Sequence, residues 1–364
     1  MDIFAFEELT WPEVEALPRS TPLFIPQGEE RIEERLAARI DQADRAGILP
    51  AIPYGWKGSG LEAPPALLEA MLGNLLAGLH EDGFENAQVL GPHPANLPPL
   101  PAEGEQGKVV LIPIGHTEQH AYHLPLSTDS LIIEAIARGT AAVVPDQATT
   151  LPVMPYGVSM HRRAFPGTLN CGGRAFEDFW LGIIDRLVER GFDRFYLLSG
   201  HGGNCSFLTN VVKYAGERHP RIFCATSWLY LSGPMGVSSL EERRRSATGG
   251  MGHACELETS LILHLRPELV DMSKAVDETD FVSTPAYYMD WVEGGALVAN
   301  PPWEDDTATG AYGAGSLAKA ENGKAWLEAA IAEKVEHVFE IHEQQHRREA
   351  RRQAGYGRWA HSSK

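Results

Sequence analysis

Cysteine is scarce and scattered in this sequence: Cys171, Cys205, Cys224 and Cys255 are the only four, and no two stand in a C-x-x-C spacing. This excludes a disulfide framework and a zinc ribbon, and it points to a reducing compartment. Positive charge is also short. Lys and Arg number 31 against 49 Asp and Glu, a formal net charge of −18. Nucleic-acid binding rests largely on Lys and Arg displacing phosphate counterions, so a nucleic-acid partner is excluded, and an anionic membrane surface with it. No segment reaches the ~20 consecutive apolar residues that cross a bilayer. The first residues, MDIFAFEELTWPEVEAL, carry acid where a secretory leader carries base. The expectation is a cytoplasmic protein, acidic for solubility, long enough for one large domain or two modest ones.

What is present is an alternation of two periods. Short apolar runs at 109–114, 151–156, 195–198 and 221–226 read as strands. Between them, Phe176, Trp180, Ile183, Ile184 and Leu187 recur at helical spacing on a segment ending near Gly191. Residues 131–144, 207–217 and 257–265 read as helices in the same way. Strands alternating with helices predict an α/β fold, a parallel sheet with helices covering its faces.

An internal repeat recasts the N-terminal third. LPAIPYG at 49–55 echoes LPVMPYG at 151–157, and LFIPQG at 23–28 parallels LIPIG at 111–115. Gly83-Phe84 leads to Gly91-Pro-His93 much as Gly191-Phe192 leads to Gly200-His201. Three blocks in the same order predict that residues 1–104 form a shortened βαβαβ copy and linker, and that 105–364 form the catalytic domain. The copy keeps His93 but has no counterpart of segment 116–129, so it is expected to carry no metal.

Glu118, His120, His123 and Asp129 fall within twelve residues just past the end of the 109–114 run. His201 follows the 195–198 run in Gly-His-Gly-Gly-Asn, leaving the sheet at the same edge. Ligands of open parallel α/β sheets bind outside the carboxyl ends of the strands. Carboxylates and imidazoles converging there are expensive to desolvate without a cation, and the mixed donors suit Zn²⁺, Mn²⁺ or Fe²⁺. The expected metal ligands are therefore Glu118, His120, Asp129 and His201, binding one or two ions with Asp129 as a possible bridge. A further cluster, His253-Ala-Cys-Glu256-Leu-Glu258, opens a helix. On an ideal helix Glu256 shares a face with His253, whereas Glu258 lies well round the cylinder. His123, His161, Asn204, Trp228 and Tyr230 are candidate substrate contacts, the last two as an aromatic wall.

These blocks resemble the creatininase (creatinine amidohydrolase) family. The resemblance rests on Glu8-Leu-Thr-Trp-Pro-Glu-Val, the run from Glu118 to Asp129, Phe165-Pro-Gly-Thr168, Gly200-His-Gly-Gly-Asn204, His253 to Ser260, and Ala318 to Lys324. It implies a parallel-sheet three-layer sandwich in a homo-oligomer. It also implies Glu118 and His201 on one ion, His120 on the other and Asp129 between them. His253 would transfer protons, and Glu258, rather than Glu256, would complete the metal or water shell as the second catalytic residue. Two departures stand out. Creatininase has a glutamate ligand where this chain has Gly203, which argues against creatinine as the substrate. The Gly-His-Gly-Gly-Asn form resembles instead formamide deformylases, a maturation peptidase and hydrolases of oxidised inositol rings. In addition, the N-terminal copy and the insertion 301–315 are absent from simple members.

The function expected is metal-dependent hydrolysis of a C–N bond in a cyclic or linear amide of a small-molecule substrate. The alternatives are C–C hydrolysis of a cyclic diketone from inositol or sugar catabolism, and a non-catalytic metal-binding scaffold.

Overall fold

The structure, a computed structural model, describes residues 2–37, 39, 45–93, 97, 99–160, 164–292 and 294–356. The second half is built on a parallel sheet of order β6-β5-β7-β8, with β5 Val109–Ile114, β6 Ala148–Thr150, β7 Arg194–Ser199 and β8 Phe223–Thr226. Successive residues of β5 and β7 enter different cores, as the two-residue period of a strand requires. Val110, Ile112, Ile114, Phe195 and Leu197 join α5 (Gly173–Glu189) and α6 (Cys205–Arg218) on one face. Val109, Leu111, Tyr196 and Leu198 join α4 (Thr128–Val143), α8 (Glu256–Leu265) and α9 (Ala320–Gln353) on the other. Helices thus cover both faces of a parallel sheet whose central strands β5 and β7 are fully buried, the three-layer α/β sandwich expected.

The first half holds a second parallel sheet, of order β1-β3-β2-β4: β1 Asp2–Ala5, β2 Leu23–Pro26, β3 Arg45–Ile48 and β4 Ala87–Leu90. Three helices accompany it, α1 Trp11–Ala16, α2 Ile32–Ala37 and α3 Pro65–Glu81. Helix α3 packs on α5, and one apolar cluster runs without a break from Leu23 and Ile25 through Tyr54 and Leu75 to Phe179 and Trp180. Among the described residues, no helix is long and apolar enough to cross a membrane.

Three features depart from the sequence reading. The strand expected at 151–156 pairs one step earlier, at β6, because Pro152 and Pro155 have no N–H to give the ladder. The chain beyond stays extended beside β5 through Leu151 N–H to Leu111 O and Met154 N–H to Pro113 O, both 3.0 Å. Second, helix α9 runs 34 residues across α4, α7 (Pro234–Arg243) and α8. Its buried stripe of Trp326, Leu327, Ala330, Val338 and Ile341 is interrupted by the charged pair Glu333 and Lys334, which hides the amphipathic pattern. Third, an antiparallel sheet of order β10-β11-β9 (β9 Met251–His253, β10 Asp277–Glu278, β11 Tyr312–Ala314) sets part of the insertion 301–315 against His253.

Candidate metal centre

Glu118 and His120 lie just past β5, Asp129 in the first turn of α4, and His201 just past β7. Two close backbone approaches bring them together. A Cβ at Gly200 would stand 2.4 Å from the Asp129 carbonyl oxygen, so only glycine lets the turn after β7 sit against the start of α4. Gly203 does the same for His201: a Cβ there would meet Val158 O at 2.3 Å and His201 Nε2 at 2.4 Å. With no side chain in the way, His201 Nε2 sits 3.1 Å from Val158 O, which makes Nε2 the donor and turns Nδ1 inward.

The result is a buried knot of alternating charge. His201 Nδ1 lies 3.0 Å from Glu118 Oε1 and 3.3 Å from Asp129 Oδ2. His120 Nε2 lies 3.3 Å from the other oxygen of Asp129 and 3.9 Å from Glu258 Oε1. His120 fixes its ring by placing Nδ1 3.1 Å from the Glu118 carbonyl oxygen. His253 Nε2 sits 2.7 Å from the Gln119 carbonyl oxygen, an acceptor only, so its Nδ1 is the nitrogen that faces Glu118 Oε1 at 3.7 Å and Glu258 Oε2 at 4.0 Å. Ala121 and Ala254, flanking this contact, take φ of 54° and 48°. Left-handed backbone at a residue with a Cβ is strain of the kind that a functional site holds in place.

The donor set fits a divalent cation. Three triads, His116–Glu118–His201, Glu118–His120–His253 and His120–Asp129–Glu258, each bring ligand atoms within 4.8 Å of one another. His120 Nε2 and Asp129 Oδ2 are buried and form no hydrogen bond, which is costly unless something else satisfies them. Burial alone would lower the pKa of both imidazoles, yet the carboxylates win. His201 is carried up to about 9 by Glu118 and Asp129, and His120 is raised by Asp129, Glu258 and Glu118. Nitrogen and oxygen donors together suit borderline first-row ions.

Helix α8 begins at Glu256 with Cys255 as its extended cap, so His253 precedes the helix and the helical-face argument does not apply to it. Glu256 turns away and accepts the N–H groups of Arg245 and Ser246, while Glu258 faces His120 and His253. Two neighbours were not singled out from sequence, although they sit in the same run. His116 accepts the Gly157 N–H on Nδ1, and its ring is 4.5 Å from that of His201. Gln119 supplies the carbonyl for His253 and donates its amide to Gly310 O at 2.9 Å.

The candidate substrate contacts separate. His123 does not reach the carboxylates; its Nε2 is 2.9 Å from the Thr259 hydroxyl, and burial, with His120 nearby, lowers its pKa to about 4. Asn204 is fully buried and spans Val158 N–H and Gly115 O, a brace rather than an open amide. Tyr230 is buried against Trp291, its hydroxyl forms no hydrogen bond, and burial with the charge of Glu258 holds its pKa well up. Trp228 is 56% exposed, so the two do not form one wall. His161 lies outside the described residues. An aromatic group from the insertion closes the far side: Trp303 packs edge-on against His253 at 5.1 Å and lies tilted against Tyr312 at the same distance.

The creatininase family pattern, described as creatinine amidohydrolase, matches residues 98–338. The chain belongs to the creatininase family. It is 28% identical over 185 residues to creatinine amidohydrolase of Pseudomonas putida, covering 46% of this chain and 68% of that one. It is 32% identical over 168 residues to the mycofactocin precursor peptide peptidase of Mycobacterium ulcerans, covering 44% and 60%. A longer match, 26% identical over 246 residues, joins it to 3-dehydro-scyllo-inosose hydrolase of Thermotoga maritima, covering 62% and 75%. In fold it resembles a putative creatinine amidohydrolase from Bacteroides fragilis, with TM-score 0.55, 22% identity, and coverage of 65% of this chain and 90% of the other. The Mn form of creatininase superposes with TM-score 0.53 and 24% identity over 64% and 91%. This creatininase-family chain is therefore a hydrolase by kinship, and its buried His/Glu/Asp cluster is suited to divalent metal.

Proposed function

We propose that this creatininase-family protein hydrolyses a C–N bond of a cyclic or linear amide with the help of two divalent ions of the Zn, Mn or Fe type. One observation carries the reading: each oxygen of Asp129 lies 3.3 Å from a different imidazole, His120 on one side and His201 on the other, as a bridging carboxylate requires. Glu118 and His201 would hold one ion, with His116 behind them, and His120 and Glu258 the other. When bound, such ions supply a nucleophile at neutral pH and polarise the carbonyl. The chain's own residues do the rest. Gln119 keeps the His253 Nε2 proton occupied, so His253 exchanges its proton at Nδ1, the nitrogen that faces the cluster, and delivers it to the leaving nitrogen. Trp303, Tyr312 and Tyr230 exclude water around that transfer.

A second reading is favoured by one comparison. The match to 3-dehydro-scyllo-inosose hydrolase covers more of this chain than the matches to either amide-cleaving relative. The same centre would then open a cyclic diketone at a C–C bond. Product analysis separates the two. Protein stripped with a chelator and reloaded with Mn²⁺ or Zn²⁺ should turn over a lactam or formamide from a panel that also holds diketo-inositols. Turnover of the diketones alone would transfer the assignment to C–C hydrolysis, and no turnover of any member by fully loaded protein would overturn both.

A further inference from the structure

The N-terminal lobe reproduces the strand scaffold around the metal centre, contact by contact. Gly28 N–H reaches Ile52 O as Gly115 N–H reaches Met154 O, each at 2.9 Å. Ile52 N–H reaches Pro26 O at 2.8 Å, and Met154 N–H reaches Pro113 O at 3.0 Å. Leu49 bonds Phe24 as Leu151 bonds Leu111. The strand order β3-β2-β4 matches β6-β5-β7, and Pro26 pairs with Leu90 as Pro113 pairs with Leu198. Counting on from those pairs, His93 stands three residues past Leu90, where His201 stands three past Leu198.

The scaffold is the same, but what fills its mouth differs. In the catalytic lobe twelve residues separate Gly115 from α4, and they carry Glu118 and His120. In the N-terminal lobe α2 begins four residues past Gly28, and it brings Arg35 to the gap between the carboxyl ends of β2 and β4. Arg35 donates from Nη1 to Gly28 O and Glu30 O, both at 3.0 Å. From Nη2 it donates to Gln27 O at 3.3 Å, Leu90 O at 2.8 Å and Gly91 O at 2.6 Å. Gln27, Gly28, Leu90 and Gly91 correspond by register to Ile114, Gly115, Leu198 and Ser199, the strand ends from which the metal-centre loops depart.

We infer that the N-terminal lobe contains a degenerate copy of the metal centre that has been closed by the Arg35 guanidinium, a permanent built-in cation ligated by backbone carbonyls. Guanidinium is planar, keeps its charge at any working pH, and carries its donors in a fixed fork, so one side chain can gather five carbonyls from two strand ends. A divalent ion in the same gap would meet neutral carbonyls and a resident positive charge. Among the described residues, no triad of metal-ligating side chains occurs in this lobe. The inference does not depend on which bond the catalytic lobe cuts, and it predicts that every metal the chain binds belongs to the catalytic lobe.

The test removes the cation and offers it back. Arg35→Ala should lower the melting temperature by roughly 5 °C or more. Low-millimolar guanidinium, a destabiliser of wild-type protein at any concentration that acts, should recover part of that loss in the variant, whereas equal sodium or ammonium should not. A variant as stable as wild type, or one rescued equally by any monovalent cation, would overturn the inference. If Arg35→Ala does not fold, metal content decides on its own: His93→Ala should keep the wild-type metal content while His201→Ala loses part of it. A loss of metal from His93→Ala would show a second live site and contradict the closed one.

Discussion

At the scale of single residues, the centre depends on what position 203 lacks. A side chain there would occupy the space in which His201 meets Val158 O, so a glutamate at this position would displace the His201 imidazole rather than add a donor. Glu258 stands instead on the opposite side of the cluster, beside His120 and His253. Away from the centre, Glu7 is a half-buried acid with a cost that depends on pH. Its backbone carbonyl accepts the Ser127 N–H at the entrance to α4, and one carboxylate oxygen is buried without a partner. Burial first, then Glu8 and Glu29, carries its pKa up to about 7. A carboxyl raised on folding stabilises below its unfolded pKa, and that contribution is lost as pH rises through the folded value. Glu7→Gln should therefore match wild type near pH 4 and exceed it by roughly 2–3 kcal/mol at pH 8 in urea unfolding, from a shift worth about 1.4 kcal/mol per unit. Parallel stability curves across that range would show that Glu7 does not titrate as described.

Among the elements, the strands β5, β7 and β8 and the helices α4, α5, α6 and α8 were legible because their apolar residues keep a clean period. The convergence of Glu118, His120, Asp129 and His201 was legible because they cluster at strand ends. The part that was not legible is what holds His253. Strand β9 is only three residues long, and the segments that fix it are irregular: Trp291 N–H reaches Met251 O at 2.7 Å, and Asp290 gathers Arg244, Gly249 N–H and Val292 N–H. No period announces a brace assembled from three loops. The Arg244–Asp290 fork, at 2.8 and 2.5 Å with the carboxylate fully buried, should be the strongest single contact there. Asp290→Ala leaves a largely buried guanidinium without its counter-charge, held only by the Ser246 and Ala247 carbonyls, and takes the acceptor from two N–H groups, so it should destabilise by about 3 kcal/mol in denaturant unfolding. A change below about 0.5 kcal/mol, the size of an ordinary surface substitution, would mean that the brace is dispensable.

The molecule holds two similar parallel sheets that share one apolar cluster, with a buried His/Glu/Asp cluster suited to divalent metal at the end of the second and a guanidinium at the matching place in the first. The repeat was visible in the sequence as three matching blocks. Its consequence was not, because Arg35 has no counterpart in the other lobe and nothing in a helix-forming run of Glu, Arg and Leu marks one arginine as special. Segment 301–315 lays Trp303 on His253 and pairs Tyr312 with it, so it helps to shape the candidate site. On the proposed reading, function would belong to the second lobe, which the first supports through shared apolar contacts.

The central claim is that Asp129 joins two ions whose remaining ligands lie on opposite sides of it, and elemental analysis of purified protein tests it most directly. Wild type loaded with Zn²⁺ or Mn²⁺ should hold two ions per chain, Asp129→Ala should hold fewer than one, and His253→Ala should keep the wild-type content. Full metal content in Asp129→Ala, or loss of metal from His253→Ala, would contradict the roles assigned here.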